Sequence, residues 1–227
     1  MLLSIALDAL FPSSCAGCRL PGSAFCAACQ PPLAAVTVRR DGSLRIIAGG
    51  GYEGALRRAI LAYKRGRRDV GVALASWLAD RMEWLEPSAV LIPVPTTRAR
   101  RGERGFDQGE LLARELGELR NRPVLLGLRH RAGDAQHGRT RSGRLAARER
   151  FACVAPQLID GMHVVLVDDV VTTGATLADS AATLRRHGAL VDAAVVLGSA
   201  PPARTQRRSI VALHRSASFR GLSERSD

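Results

Sequence analysis

The run Val164-Val165-Leu166-Val167-Asp168-Asp169-Val170-Val171-Thr172-Thr173-Gly174-Ala175-Thr176 constrains the fold more than any other part of the chain. Four consecutive apolar residues, three of them β-branched, read as a strand buried on both faces, the kind found in parallel sheets. That strand is expected to end in two adjacent carboxylates, with a Thr/Gly loop opening into a helix from about Ala175 to His187 and Gly188 as its stop. Leu190 to Leu197 supplies a returning strand. Strand, loop, helix and strand make a βαβ unit.

The loop also carries chemistry. Amides of residues 172–176 at a helix N-terminus, with two or three hydroxyls, form a cradle for a phosphate group. Glycine lets the backbone approach the anion, and the hydroxyls donate to it. Two carboxylates beside such a site repel an anion unless they hold another part of the ligand. The vicinal hydroxyls of a ribose, with a divalent cation nearby, meet that need, so the residues imply a ribose 5-phosphate lying over Asp168 and Asp169. A buried strand followed by an acidic helix cap is the plainer reading, and it accounts for one Asp and one Thr only. The loop neither ends in Gly-Lys-Thr nor contains G-x-G-x-x-G, so it is not a P-loop or a dinucleotide-binding turn.

Elsewhere the pattern repeats more weakly. Residues 33–51 read as irregular strands ending in three glycines. A helix is expected from Tyr52 to Tyr63 with Ala55, Leu56, Ala59, Ile60 and Tyr63 on one face, and a second over about 69–86, stopped by Pro87. Ala89 to Ile92 reads as a buried strand, 111–119 as a helix, Val124 to Leu126 as strand-like, and 129–150 as a long loop dense in arginine. Residues 1–11 read as a short amphipathic helix, and a short strand at Ser209–Leu213 is expected within a basic tail. The fold class expected is α/β with a parallel sheet, divided into an N-terminal helix and cysteine knuckle (1–48), a main domain (49–200) and a basic tail (201–227).

Cys15-x2-Cys18 and Cys26-x2-Cys29 are separated by seven residues. Two such pairs complete a tetrahedral four-thiolate set suited to structural Zn²⁺, with disulfides or a redox pair as the alternatives. Four thiolates leave no open coordination position for catalysis. The surrounding segment has too few apolar residues to fold unaided, so a metal would supply its folding energy. Cys153 stands alone and reads as a small buried hydrophobe.

Basic residues outnumber acidic ones, 33 to 21, for a net charge of +12. Anionic partners are favoured: phosphate esters, nucleic acid or a membrane surface. Residues 97–150 hold fourteen arginines against seven acids, an arrangement able to track a nucleic-acid backbone or to sit as solvated helix faces. Among all these cations Lys64 is the single lysine, a compact point charge where the planar arginine fork is the rule. No apolar run approaches the ~18 residues of a membrane span. The first eight residues lack a basic region and include Asp8, so no secretory signal is read and a cytoplasmic location is expected.

The Val164–Thr176 run resembles the phosphoribosyl-pyrophosphate (PRPP) motif of type I phosphoribosyltransferases. The order of parts narrows the likeness: four cysteines, Tyr63-Lys64, Ile92-Pro93-Val94-Pro95, Arg104-Gly105-Phe106-Asp107-Gln108, then the loop. That order is similar to the ComF family, phosphoribosyltransferase-like proteins associated with competence for DNA uptake, and the likeness covers roughly residues 12–198. It implies that Asp168 and Asp169 hold the ribose hydroxyls, and that Thr172, Thr173, Gly174, Ala175 and Thr176 hold the 5-phosphate. By the same resemblance Pro95, Thr96, Thr97 and Arg98 belong to the pyrophosphate loop, Lys64 and Arg104 take catalytic roles, and 129–150 forms a flexible hood. Mg²⁺ would accompany PRPP. The family's usual Asn is replaced here by Asp107. The resemblance leaves two activities open. One is phosphoribosyl transfer to a nitrogen base or amine with release of pyrophosphate. The other is a non-catalytic, PRPP-sensing adaptor that binds single-stranded DNA and competence proteins.

Overall fold

A computed structural model describes residues 13–33, 37–82, 86, 88–97, 102, 106–131 and 150–200. Its centre is a five-stranded sheet. Strands β1 (Thr37–Asp41) and β2 (Leu44–Gly51) form a hairpin, and β2 continues into a parallel array with β7 (Leu190–Ser199), β6 (His163–Val171) and β3 (Val90–Pro93). The irregular strands expected over 33–51 are thus a regular hairpin, and β2 crosses position 48/49 as part of the main sheet.

The apolar runs are buried on both faces, as the sequence requires of parallel strands. Val165 and Val167 of β6 and Val195 and Leu197 of β7 face one core, shared with helices α1 (Gly54–Lys64), α2 (Arg68–Ala79) and α3 (Gln108–Arg120). Val164 and Leu166, with Ala194 and Val196, face a second core. That one is covered by α5 (Ala175–Arg185), by the ribbon of β4 (Leu128–His130) against β5 (Phe151–Cys153), and by the short α4 (Pro156–Ile159).

The division of helices between faces places a crevice. From β3 the chain leaves through α3 over the first face and returns at Val124, which bridges Leu91 on the outer edge of β3. From β6 it leaves in the other direction, through α5 over the second face, to β7. The two connections therefore diverge between β3 and β6, and ligands of open α/β sheets bind at the carboxyl ends of strands where the order switches in this way.

Four expected boundaries are corrected. β6 does not end at the carboxylates: pairing with β7 continues through Asp168↔Val196 to Val171↔Ser199. Helix α2 stops at Ala79, well short of 86, because Arg81 turns back to donate to the Trp77 and Pro31 carbonyls at 2.6 Å each, and Met82 turns inward. Residues 124–126 contribute only the Val124 bridge, and the paired strand begins at Leu128. Helix α5 ends at Arg185, and Gly188 (φ +84°) turns the chain into β7 two residues later, against the Asp160 carboxylate. The N-terminal helix at 1–11, most of the hood and the tail with Ser209–Leu213 lie outside the described residues. No helix among the described residues is long and apolar enough to cross a membrane.

Candidate functional site

A cleft of about 710 Å³ opens at the switch between β3 and β6. It gathers Lys64 from the end of α1, Pro95, Thr96 and Thr97 from the loop after β3, Asp168 and Asp169 from β6, and Thr172 and Thr176 from the turn into α5. Three separate stretches of sequence supply these residues. Thr173, Gly174 and Ala175 form the turn between Thr172 and Thr176 without lining the cleft. Gly174 caps α5 with φ +89°, a conformation in which a side chain would be strained, and the Ala175 amide donates to Thr173 Oγ1 at 3.3 Å. Arg98 and Arg104 lie outside the described residues.

The two carboxylates follow one another along β6. Asp169 Oδ2 lies 2.9 Å from Nζ of Lys64, at the end of α1. Both partners are mostly shielded, at 22% and 19% exposure. Asp168 accepts the Asp169 amide at 2.8 Å. Burial, and then the neighbouring Asp169 charge, push its pKa from 3.8 up to about 8, against the opposing pull of that amide and of Lys64. The cleft therefore presents one carboxylate paired with a cation and another that holds its proton more tightly than an ordinary aspartate.

Lys64 stands on a fixed platform. Tyr63, fully buried, donates from its hydroxyl to the Gln108 carbonyl at 2.6 Å and lies 5.9 Å from the Phe106 ring. A lysine in the last turn of α1 also complements the helix dipole.

Asp107 is 6% exposed and holds the loop after β3. Its two oxygens accept from the Thr96 amide at 3.1 Å, from Thr96 Oγ1 at 3.4 Å, and from the Glu110 amide at 3.3 Å as the N-cap of α3. A carboxylate has acceptor capacity on both oxygens for these donors, whereas an amide side chain has it on one.

Two lining residues escaped the sequence reading, Tyr52 beyond β2 and Phe151, while His130 and Arg150 stand at the two ends of the expected hood, 129–150. The His130 ring lies 4.7 Å from that of Phe151, and burial lowers its pKa below the ordinary histidine value. Arg150 pairs with Asp179 of α5 at 3.2 Å. The β4–β5 pairing brings the two ends of that long loop together, and Phe151 with them.

The four cysteines form a separate centre. Their sulfurs lie within 4.8 Å of one another, all as free thiols. Cys18 Sγ and Cys26 Sγ are 3.7 Å apart, the edge expected of a tetrahedron with ~2.3 Å zinc–sulfur arms. The amides of Gly17 and Cys26 donate to Cys15 Sγ at 3.3 and 3.4 Å, which favours a thiolate there. The group fits a structural Zn²⁺. Cys153, expected as buried, is half-buried against the second core.

The phosphoribosyl transferase domain family matches residues 71–214. Among curated relatives, competence protein ComFC of Bacillus subtilis (strain 168) is 27% identical over 140 residues, covering 60% of this chain and 56% of that protein. The DNA utilization protein YhgH of Salmonella typhimurium is 34% identical over 157 residues, covering 64% of this chain and 67% of the relative. Competence protein F of Haemophilus influenzae is 32% identical over 118 residues, 48% of this chain and half of that one. The chain thus spans little more than half the length of ComFC. A solved glutamine PRPP amidotransferase from B. subtilis aligns over 56% of this chain and 26% of its own, with 24% identity and a TM-score of 0.42.

Proposed function

The chain belongs to the phosphoribosyl transferase domain family, among its ComF relatives, and on that premise we propose that the cleft binds PRPP with Mg²⁺. The observation that carries this reading is the Lys64–Asp169 pair, set between the loop after β3 and the Thr172–Thr176 turn. The turn would take the 5-phosphate on its amides and hydroxyls. Asp168 and Asp169 would take the ribose hydroxyls, and their oxygens also suit Mg²⁺ carried in with the pyrophosphate. Residues 95–97 would border the pyrophosphate, and Lys64, released from Asp169, would neutralise part of its charge.

Transfer at the anomeric carbon needs positioned reactants and stabilised leaving charge, not a protein nucleophile. The cleft would supply both, so we further propose transfer of the phosphoribosyl group to a nitrogen base or amine with release of pyrophosphate. A second reading, a PRPP-sensing adaptor that binds single-stranded DNA, draws on the relatives' names and on the net charge of +12. Calorimetric titration of PRPP and Mg²⁺ into wild type and the Asp168→Asn/Asp169→Asn variant tests the shared premise. Binding confined to the wild type supports it, and no binding to folded wild type rejects it. Pyrophosphate release in a screen of bases then favours transfer, and salt-sensitive single-strand binding without turnover favours the adaptor.

A further inference from the structure

The cysteine knuckle and the cleft share one helix. At its start α1 lies beneath the knuckle: a Cβ on Gly17 would come within 3.1 Å of the Ala55 methyl, and Arg58 Nε donates to the Gly17 carbonyl at 2.7 Å. At its end α1 delivers Lys64 to Asp169. Three residues later Arg67 turns back, donating from one guanidinium nitrogen to the Ser14 carbonyl at 2.9 Å while the rest of the fork holds Asp69. Lys64 is thus bracketed by two arginines that both grip the knuckle backbone. Cys15 and Phe25, each 1% exposed, pack in the same core as Leu56, Ile60 and Tyr63 of the helix.

The gripped carbonyls belong to the metal site. Gly17 lies between Cys15 and Cys18, and Ser14 precedes Cys15. Over residues 13–33 the regular structure amounts to one isolated bridge, Ser14↔Pro21, and one 3₁₀ turn, Ala27–Cys29. Four sulfur–metal bonds would therefore add to the core packing of Cys15 and Phe25 in fixing this segment, and with it those two carbonyls. A helix transmits a displacement at one end as a nearly rigid rod. The rise from Gly54 to Lys64 is roughly 15 Å.

We propose that the knuckle positions the lysine: filling of the four-thiolate site fixes, through Arg58 and Arg67, where the Lys64 ammonium stands against Asp169, and so sets the affinity of the cleft for pyrophosphate. Arg58 and Arg67 are positioning residues that act through Lys64. The affinity part rests on the PRPP reading of the cleft, whereas the link from thiolates to lysine rests on the contacts above.

Because Lys64 is the sole lysine, reductive ¹³C-methylation puts a single side-chain reporter on its Nζ. The dimethyl resonance is recorded in the full-length zinc-loaded protein, after chelation, and in a zinc-loaded Arg58→Gln/Arg67→Gln variant. Inorganic pyrophosphate with Mg²⁺ is titrated into unmethylated samples of each. Chelation and the double substitution are both expected to move the Lys64 resonance and to weaken pyrophosphate binding about tenfold. Zinc content and circular dichroism of the variant stay at wild-type values, zinc restores the chelated sample, and Arg58→Lys/Arg67→Lys recovers most of the affinity. An unmoved resonance in the folded, zinc-loaded double variant overturns the link, even where chelation unfolds the wild type. A moved resonance with unchanged affinity overturns the affinity part. If zinc-loaded wild type binds no pyrophosphate, the PRPP reading fails while the resonance still decides the link.

Discussion

Asp168 ties the site to stability through its proton. Burial and the Asp169 charge hold its pKa near 8 in the folded protein, against 3.8 for an ordinary aspartate. Between roughly pH 5 and 7 the folded state therefore keeps a proton that the unfolded chain has released, and stability falls as pH rises. One proton corresponds to at most about 1.4 kcal/mol per pH unit. The contribution is complete below about pH 4, where both states are protonated, and is lost above about pH 8. For a chain of this size the slope amounts to roughly 3–6 °C per pH unit in the unfolding midpoint. Asp168→Asn preserves the shape of the side chain and an acceptor for the Asp169 amide, but it does not titrate. Thermal unfolding followed by circular dichroism from pH 5 to 7 should show the wild-type midpoint dropping relative to the variant by up to that amount for each of the two pH units. Other groups cancel in the difference, so parallel curves would refute the reasoning. Asp169→Asn should flatten the wild-type slope in part, since its charge is the second cause of the shift.

Binding of Mg²⁺-PRPP at pH 7 should expel most of one proton from Asp168, measurable as a buffer-dependent enthalpy in calorimetry; no buffer dependence would place the ligand elsewhere. Gly71→Ala would set a methyl 2.4 Å from the Tyr63 ring, overpacking that costs about 1–3 kcal/mol, read as a lower midpoint in denaturant. Asp107→Asn keeps the cap of α3 but loses acceptor capacity toward Thr96, about 1 kcal/mol, and should weaken pyrophosphate binding more than it lowers the midpoint. Elemental analysis should find one zinc per chain. Its removal should change the emission of Trp77, whose ring meets Phe25 of the knuckle edge-on at 6.0 Å.

The parts legible in the sequence are those whose determinants are contiguous. The Val164–Thr176 run carries strand, acids, turn and helix start in thirteen residues, and each C-x-x-C is its own signature. The single lysine was conspicuous, but its partner stands 105 positions away and is reached only because the fold brings the end of α1 to β6. Tyr52 and Phe151 were illegible for the same reason: they enter the cleft from the ends of β2 and β5, and strand order decides that. The strand was expected to end in the carboxylates because acids disfavour strand interiors. Pairing with β7 continues through them because the functional end of a sheet tolerates polar side chains. The end of α2 was misplaced because its stop is Arg81 reaching the Pro31 carbonyl, fifty residues back, whereas Pro87 was the local signal.

The register Arg45↔Ala193 between β2 and β7 has a consequence for how the chain is made. Among the described residues β2 is the second strand to be synthesised and is parallel to the last, and its apolar residues Ile46, Ile47 and Ala48, divided between its two faces, have no neighbouring strand apart from β1 until residue 190 is available. At ribosomal speeds the hairpin waits roughly ten to thirty seconds for that strand. Pairing of such sequence separation also slows the final closure. The emerging N-terminal half is therefore the stretch in which the chain is most exposed to chaperones and to misassociation with its own copies.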